Sequence, residues 1–182
     1  MRQANPYAGE VGISAGAEDF VFRPSFFAMA SLGTPQELPR LYADSHKITD
    51  SGFIAALSAL HACADKDVCD LVGCFEDVEG SIQYCPGAVP VDNIQILGSK
   101  LLYSGMIGRP SKRRGEASGS FEPAEFVAAA VAHLAMSFDD AWQLTMVEFQ
   151  AAIKAKFPDS DEENNYPSAD EHRALVASME KN

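Results

Sequence analysis

The sequence predicts a mainly α fold: a single helical domain with a small N-terminal β-hairpin and a flexible acidic C-terminal segment. Three observations lead there. Apolar residues recur at three- and four-residue steps in several stretches, most clearly at Trp142, Met146, Phe149 and Ile153. Helix-start signals stand at the heads of such stretches, at Ser25, at Thr49 or Asp50, at Glu122-Pro123 and at Ser137. Residues 158–182, in contrast, hold seven acids against two bases, a net of −5. With 182 residues the chain can bury one real core but not two full ones. The expected division is therefore a mostly helical globular domain with the hairpin at 1–158, and an acidic linker with a terminal helix at 159–182.

In order along the chain, Val11 and Ile13 alternate on one side of a polar AGAED turn, and Phe20, Val21 and Phe22 follow on the other, which reads as a short hairpin. Arg23 and Pro24 end it. Ser25 can cap a short helix of Phe26, Met29, Ala30 and Leu32 that stops at Gly33. A second short helix is expected from Pro35 to about Ala43. A stronger one follows, with Phe53, Ile54, Leu57, Leu60 and His61 at helical steps, ending near Ala64.

Residues 67–75, DVCDLVGCF, fit another short helix, and EDVEG after it reads as a turn. SIQYC at 81–85, closed by Pro86 and Gly87, is either a strand or an irregular edge. Val91, Ile94, Leu97, Leu101 and Leu102 then mark a clear helix, closed by Gly105 or Gly108. RPSKRRGEAS at 109–118 has no periodicity and is rich in turn residues, so an exposed, mobile loop is expected.

Glu122, Pro123 and Ala124 open the next helix, with proline where its missing N–H costs least. Its apolar face is Phe126, Val127, Ala130, Val131, Leu134 and Met136. Ser137 to Pro158 then reads as one continuous helix. Ser137 caps it, Asp139 and Asp140 face the positive end of its dipole, and Lys154 and Lys156 lie in its last turn. Beyond Pro158, DSDEENN is a linker by composition, and Ser168 with Glu171 forms a capping box for a terminal helix.

Composition narrows the function classes. A hydrophobic content of 47% with 22% charged residues is that of a globular chain, and no apolar run approaches the roughly 20 residues of a membrane span. MRQANPYAGEVG lacks the apolar core of a secretory signal, so a cytoplasmic location is expected. A formal charge of −12 disfavours sequence-independent binding to nucleic acid and favours basic or apolar partners. The exception to that charge is the loop carrying Arg109, Lys112, Arg113 and Arg114. It is either a solvated surface loop or a flexible contact for an acidic segment.

Cys63, Cys69, Cys74 and Cys85 fall within 23 residues, beside His61. Their spacings of 6, 5 and 11 contain no CxxC pair to aim two ligands at one tetrahedral ion, which favours buried free thiols over a zinc site or a disulfide. No phosphate loop, nucleophile elbow or HExxH is present, and His46, His61, His133 and His172 are dispersed, so neither an enzyme nor a bound cofactor or metal is expected.

The stretches FVFRPSFFAMASLG (20–33), Ile107 to Arg113, and Asp140 to Pro158 together resemble a family of small proteins encoded among the tail genes of long-tailed bacteriophages. Members of that family look like FxFRPSFxxMxxxG near the start, an IG-x-x-x-(K/R) loop in the middle and (D/E)AWxxTMxEFxxxxxAKFP near the end. The likeness spans most of residues 10–158. It carries over no catalytic residue. What it implies is a tail assembly chaperone acting in the host cytoplasm, with the tape-measure protein as partner and the major tail-tube protein as a second candidate. The alternative is a structural virion component, such as a minor tail, connector or completion protein; a homo-oligomer stays open. The candidate contact residues are Trp142, Met146 and Phe149 on the apolar stripe and Arg109, Lys112, Arg113 and Arg114 in the basic loop. The same stripe would equally build an ordinary core.

Overall fold

A computed structural model describes residues 3–109 and 119–158. Lys112, Arg113 and Arg114, and the acidic segment 159–182 with its expected terminal helix, lie outside the described residues. The architecture corrects the expected fold class. Among the described residues there are eight α-helices and two small antiparallel sheets, 54% helix and 16% strand, so the fold is mixed α/β and not mainly α with a single hairpin.

After a short 3₁₀ turn at Pro6–Ala8, β1 (Val11–Ala15) pairs with β2 (Glu18–Phe22) in a register running from Val11 opposite Phe22 to Ala15 opposite Glu18. Phe22 is fully buried and bridges to Ala64, which fastens the hairpin to the core. Ser25 then caps α1 (Phe26–Ser31), its hydroxyl accepting from the Ala28 N–H at 3.2 Å. The next helices are α2 (Leu38–Ser45) and α3 (Asp50–Cys63), the latter capped by Thr49.

The second correction falls on residues 67–85. The expected helix is a single turn, α4 (Cys69–Val72), which Gly73 terminates at a φ of 82°. The chain then forms β3 (Cys74–Val78), which pairs with β4 (Ser81–Cys85), so EDVEG supplies half a strand as well as the turn. Glu79 and Gly80 occupy positive φ at 55° and 80°, as a two-residue type I′ hairpin loop requires, and the Asp77 carboxylate accepts from the Gly80 N–H at 2.7 Å.

The core centres on α3 and α5 (Val91–Met106), which bury Leu57, Leu60, Ile94, Leu101 and Leu102. They approach closely because Gly98 has no side chain: a Cβ there would lie inside the van der Waals radius of the Ala56 backbone. α2 lies across both helices, where the Ser45 carbonyl accepts from Gln95 Nε2 at 3.2 Å and from Ser99 Oγ at 2.7 Å.

The third correction concerns the continuous helix expected over Ser137–Pro158. After α6 (Pro123–Leu134), Ala135 takes a left-handed φ of 55°, and Ser137 opens α7 (Phe138–Gln143). The helix stops there, with Leu144 extended, and α8 (Met146–Lys156) starts afresh from a capping box of Thr145 and Glu148. α1, α6 and α8 meet in an aromatic cluster: Phe26 stacks on Phe126 at 5.5 Å, and Phe149 packs edge-on to both at 5.9 and 5.6 Å.

Candidate functional site

The segments at the two ends of the described domain fold against each other through their backbone. The Phe26 N–H donates to the Leu144 carbonyl at 2.8 Å, and Ser25 bridges to Thr145. The cap of α1 therefore abuts the cap of α8. Arg23 crosses this junction with three donors. Nη1 meets Glu10 Oε1 at 2.5 Å, Nη2 meets Glu148 Oε2 at 2.6 Å, and Nε donates to the Gln143 carbonyl at 3.0 Å. The same Glu148 oxygen accepts from the Thr145 N–H at 3.0 Å, so one carboxylate joins the capping box to Arg23. Burial opposes the Arg23 charge, but its hydrogen bonds to Glu148 and Glu10 outweigh that and its pKa is raised.

The junction sets α1 beside α7 and leaves an open groove of about 610 Å³ between them, lined by Phe27, Ala30, Ser31, Asp139, Asp140, Trp142 and Gln143. Phe26 and Met29 point inward, which turns Phe27 and Ala30, three residues apart, onto the outer face. Phe27 is 61% exposed, and Phe138 at the start of α7 is 60% exposed. The groove thus has apolar walls with two carboxylates on one side.

A third segment joins at α8. The helix α5 ends in a corner at Gly108, with φ 71°, where a Cβ would collide with Gln150 and Met146. The Gln150 side chain clamps this corner, donating to the Ile107 carbonyl at 2.8 Å and accepting from the Arg109 N–H at 2.7 Å. Arg109 is therefore held at a fixed point on α8.

Residues 42–173, well over half of the chain, match a family of unknown function (DUF6246). The chain belongs to the DUF6246 family. No curated protein and no solved structure matches it. The DUF6246 segment begins within α2 and holds the α7 wall of the groove with Asp139, Asp140 and Trp142, whereas Arg23 and α1 precede it.

The candidate contact residues separate in space. Trp142 lines the groove, half-buried. Met146 is 4% exposed and packs under the Gly108 corner, and Phe149 sits in the aromatic cluster, so both belong chiefly to the core of this DUF6246 chain. Arg109 is exposed at the start of the basic loop. Sequence reasoning missed Phe27, Ala30, Asp139 and Asp140 as a surface. The helical step between Phe27 and Ala30, opposite the inward Phe26 and Met29, was the available signal.

The cysteines form a different arrangement. Cys63 is buried, and burial pushes its thiol pKa up. Cys69 hydrogen-bonds with Cys74, which with burial raises its pKa to about 12. Cys74 and Cys85 face each other across β3 and β4, and both lie within 3.6 Å of the Glu76 carboxylate. His61 Nε2 is bonded to the Gly73 carbonyl at 2.8 Å. Among the described residues no group of three or more His, Cys, Asp and Glu is arranged to hold a metal ion, and no helix is long and apolar enough to cross a membrane.

Proposed function

We propose that this chain is a tail assembly chaperone of a long-tailed bacteriophage, which binds the tape-measure protein in the host cytoplasm while the tail forms. The observation that carries the reading is the convergence of the three motif segments on α8. Arg23 and Ser25 come from the first, Ile107 and Gly108 from the second, and Thr145, Glu148 and Gln150 from the third. Residues that build one junction have a common structural purpose, and its product is the groove between α1 and α7. A chaperone for a helical client needs such an exposed apolar surface presented on a packed frame.

The test is co-expression with the tape-measure and tail-tube proteins of a phage that encodes this chain, followed by tagged capture. Capture and solubilisation of the tape measure, lost on Phe27→Asp, would support the reading. Phe27 is the position to change because it is exposed; Phe149→Asp would break the core instead. An insoluble, uncaptured tape measure together with retention of the chain in mature particles would overturn the reading in favour of a structural virion component.

A further inference from the structure

We infer that the groove between α1 and α7 takes a cationic amphipathic helix, with bulky apolar side chains against Phe27, Ala30 and Trp142 and lysine or arginine against Asp139 and Asp140. The inference rests on the reading of this groove as the partner surface and adds the chemistry of its occupant. The apolar half of the argument is the wall itself. Phe27 keeps 61% of its surface exposed beside the small side chain of Ala30, so an incoming helical ridge can pass close over Ala30 and cover the phenyl ring.

The electrostatic half is the rim. Asp139 and Asp140 are both exposed on the groove wall, and Ser137 Oγ donates to Asp140 at 2.7 Å. Among the described residues no lysine or arginine pairs with either carboxylate. An acidic helix would meet like charge at the rim as well as the field of a chain of net −12, so the chain's own acidic segment at 158–182 is an unfavourable occupant. A lysine- or arginine-bearing helix gains on both counts.

Trp142 is the only tryptophan in the chain and lines the groove, so its fluorescence in the full-length protein reports occupancy directly. The probes are two synthetic peptides with one leucine and alanine helical pattern, carrying lysine in one and glutamate in the other at the polar positions. The expected result is a saturable change in Trp142 emission with the lysine peptide only. It should be weakened about tenfold at low salt by Asp139→Asn with Asp140→Asn. It should be abolished by Ala30→Arg, and unchanged by Asp77→Asn on the β3–β4 hairpin.

Equal binding of the glutamate peptide, or a lysine-peptide response indifferent to Ala30→Arg, would overturn the inference, because attraction to the acidic surface at large would then explain it. Far-UV circular dichroism checks that each variant folds. Tape-measure capture without any response to the lysine peptide would sink this inference and leave the chaperone reading standing. Peptide binding without tape-measure capture would do the reverse.

Discussion

Arg23 and Glu148 stand 125 residues apart in sequence and 2.6 Å apart in space. The Arg23 side chain is 22% exposed and Glu148 is 29% exposed, while Glu10, on the other arm of the guanidinium, is 2% exposed. The fork thus holds one nearly buried carboxylate and one that belongs to a helix cap. It fixes where β2 ends relative to where α8 begins, and so sets the spacing of α1 and α7.

Arg23→Ala should cost roughly 2 kcal/mol, below the 3–5 typical of a fully buried broken pair because two of the three groups keep contact with water. It takes the guanidinium from the nearly buried Glu10 carboxylate, which keeps the Asn5 N–H on its other oxygen at 2.8 Å. Arg23→Lys should recover little, since one ammonium cannot reach Glu10, Glu148 and the Gln143 carbonyl together. Urea denaturation of the two variants against the parent checks this; full recovery in the lysine variant would contradict the three-way geometry.

Gly98→Ala should be the most damaging single-methyl change at the α3–α5 contact. Its Cβ would collide with the Ala56 backbone, which cannot rotate away, so the helices must separate. A loss of about 3 kcal/mol or more is expected, at or above the usual range for overpacking, and would appear as a large drop in thermal midpoint. Gly80→Ala is a useful contrast. It meets nothing within 4 Å and suffers only from its φ of 80°, so its cost should be smaller.

Thr145→Ala removes the cap that starts α8. The hydroxyl is fully buried and accepts from the Glu148 N–H at 3.2 Å, so a loss of roughly 1–2 kcal/mol is expected. Thr145→Val, which keeps the shape but removes the hydroxyl that accepts from the Glu148 N–H and donates to Glu148 Oε2 at 3.3 Å, should lose nearly as much in the same denaturation experiment.

Local signals were legible in the sequence. Ser25 and Thr49 each cap the helix expected of them, and Ser137 caps the first part, Phe138–Gln143, of the longer helix expected from it, because a capping side chain acts within three residues of itself. The break after Gln143 was not read, although Thr145 and Glu148 form the pattern of a capping box within the apolar stripe. The stripe fits one helix, and what decides against it is distant: the Leu144 carbonyl is taken by the Phe26 N–H, and Thr145 by the bridge to Ser25. β3 was hidden for another reason. Glu76 and Asp77 blur its alternation, and Glu79-Gly80 is a weaker hairpin signal than Asn-Gly. The groove was half legible, Trp142 by its stripe, while Phe27 and Asp139 become one surface only once the Arg23 junction is closed.

Cys63, Cys69 and Cys85 should be slow nucleophiles. With its pKa raised to about 12, Cys69 stays protonated well above neutral pH, and the raised pKa of Cys85 acts in the same direction. At pH 8 Cys69 should be alkylated by iodoacetamide more than about tenfold more slowly than an unperturbed thiol, accelerating only in strong alkali. Peptide mapping by mass spectrometry after timed quenching reads each site. Buried Cys63 should remain unlabelled until the protein unfolds.

Hydrogen exchange on the captured complex tests the central claim most directly, comparing the chain alone with the chain bound to tape-measure protein. Slowed exchange concentrated in Phe26–Ser31 and Phe138–Gln143, with the β3–β4 hairpin unchanged, is the result expected of a client seated between α1 and α7. Protection confined to other elements, with both groove helices exchanging as in the free chain, would contradict it.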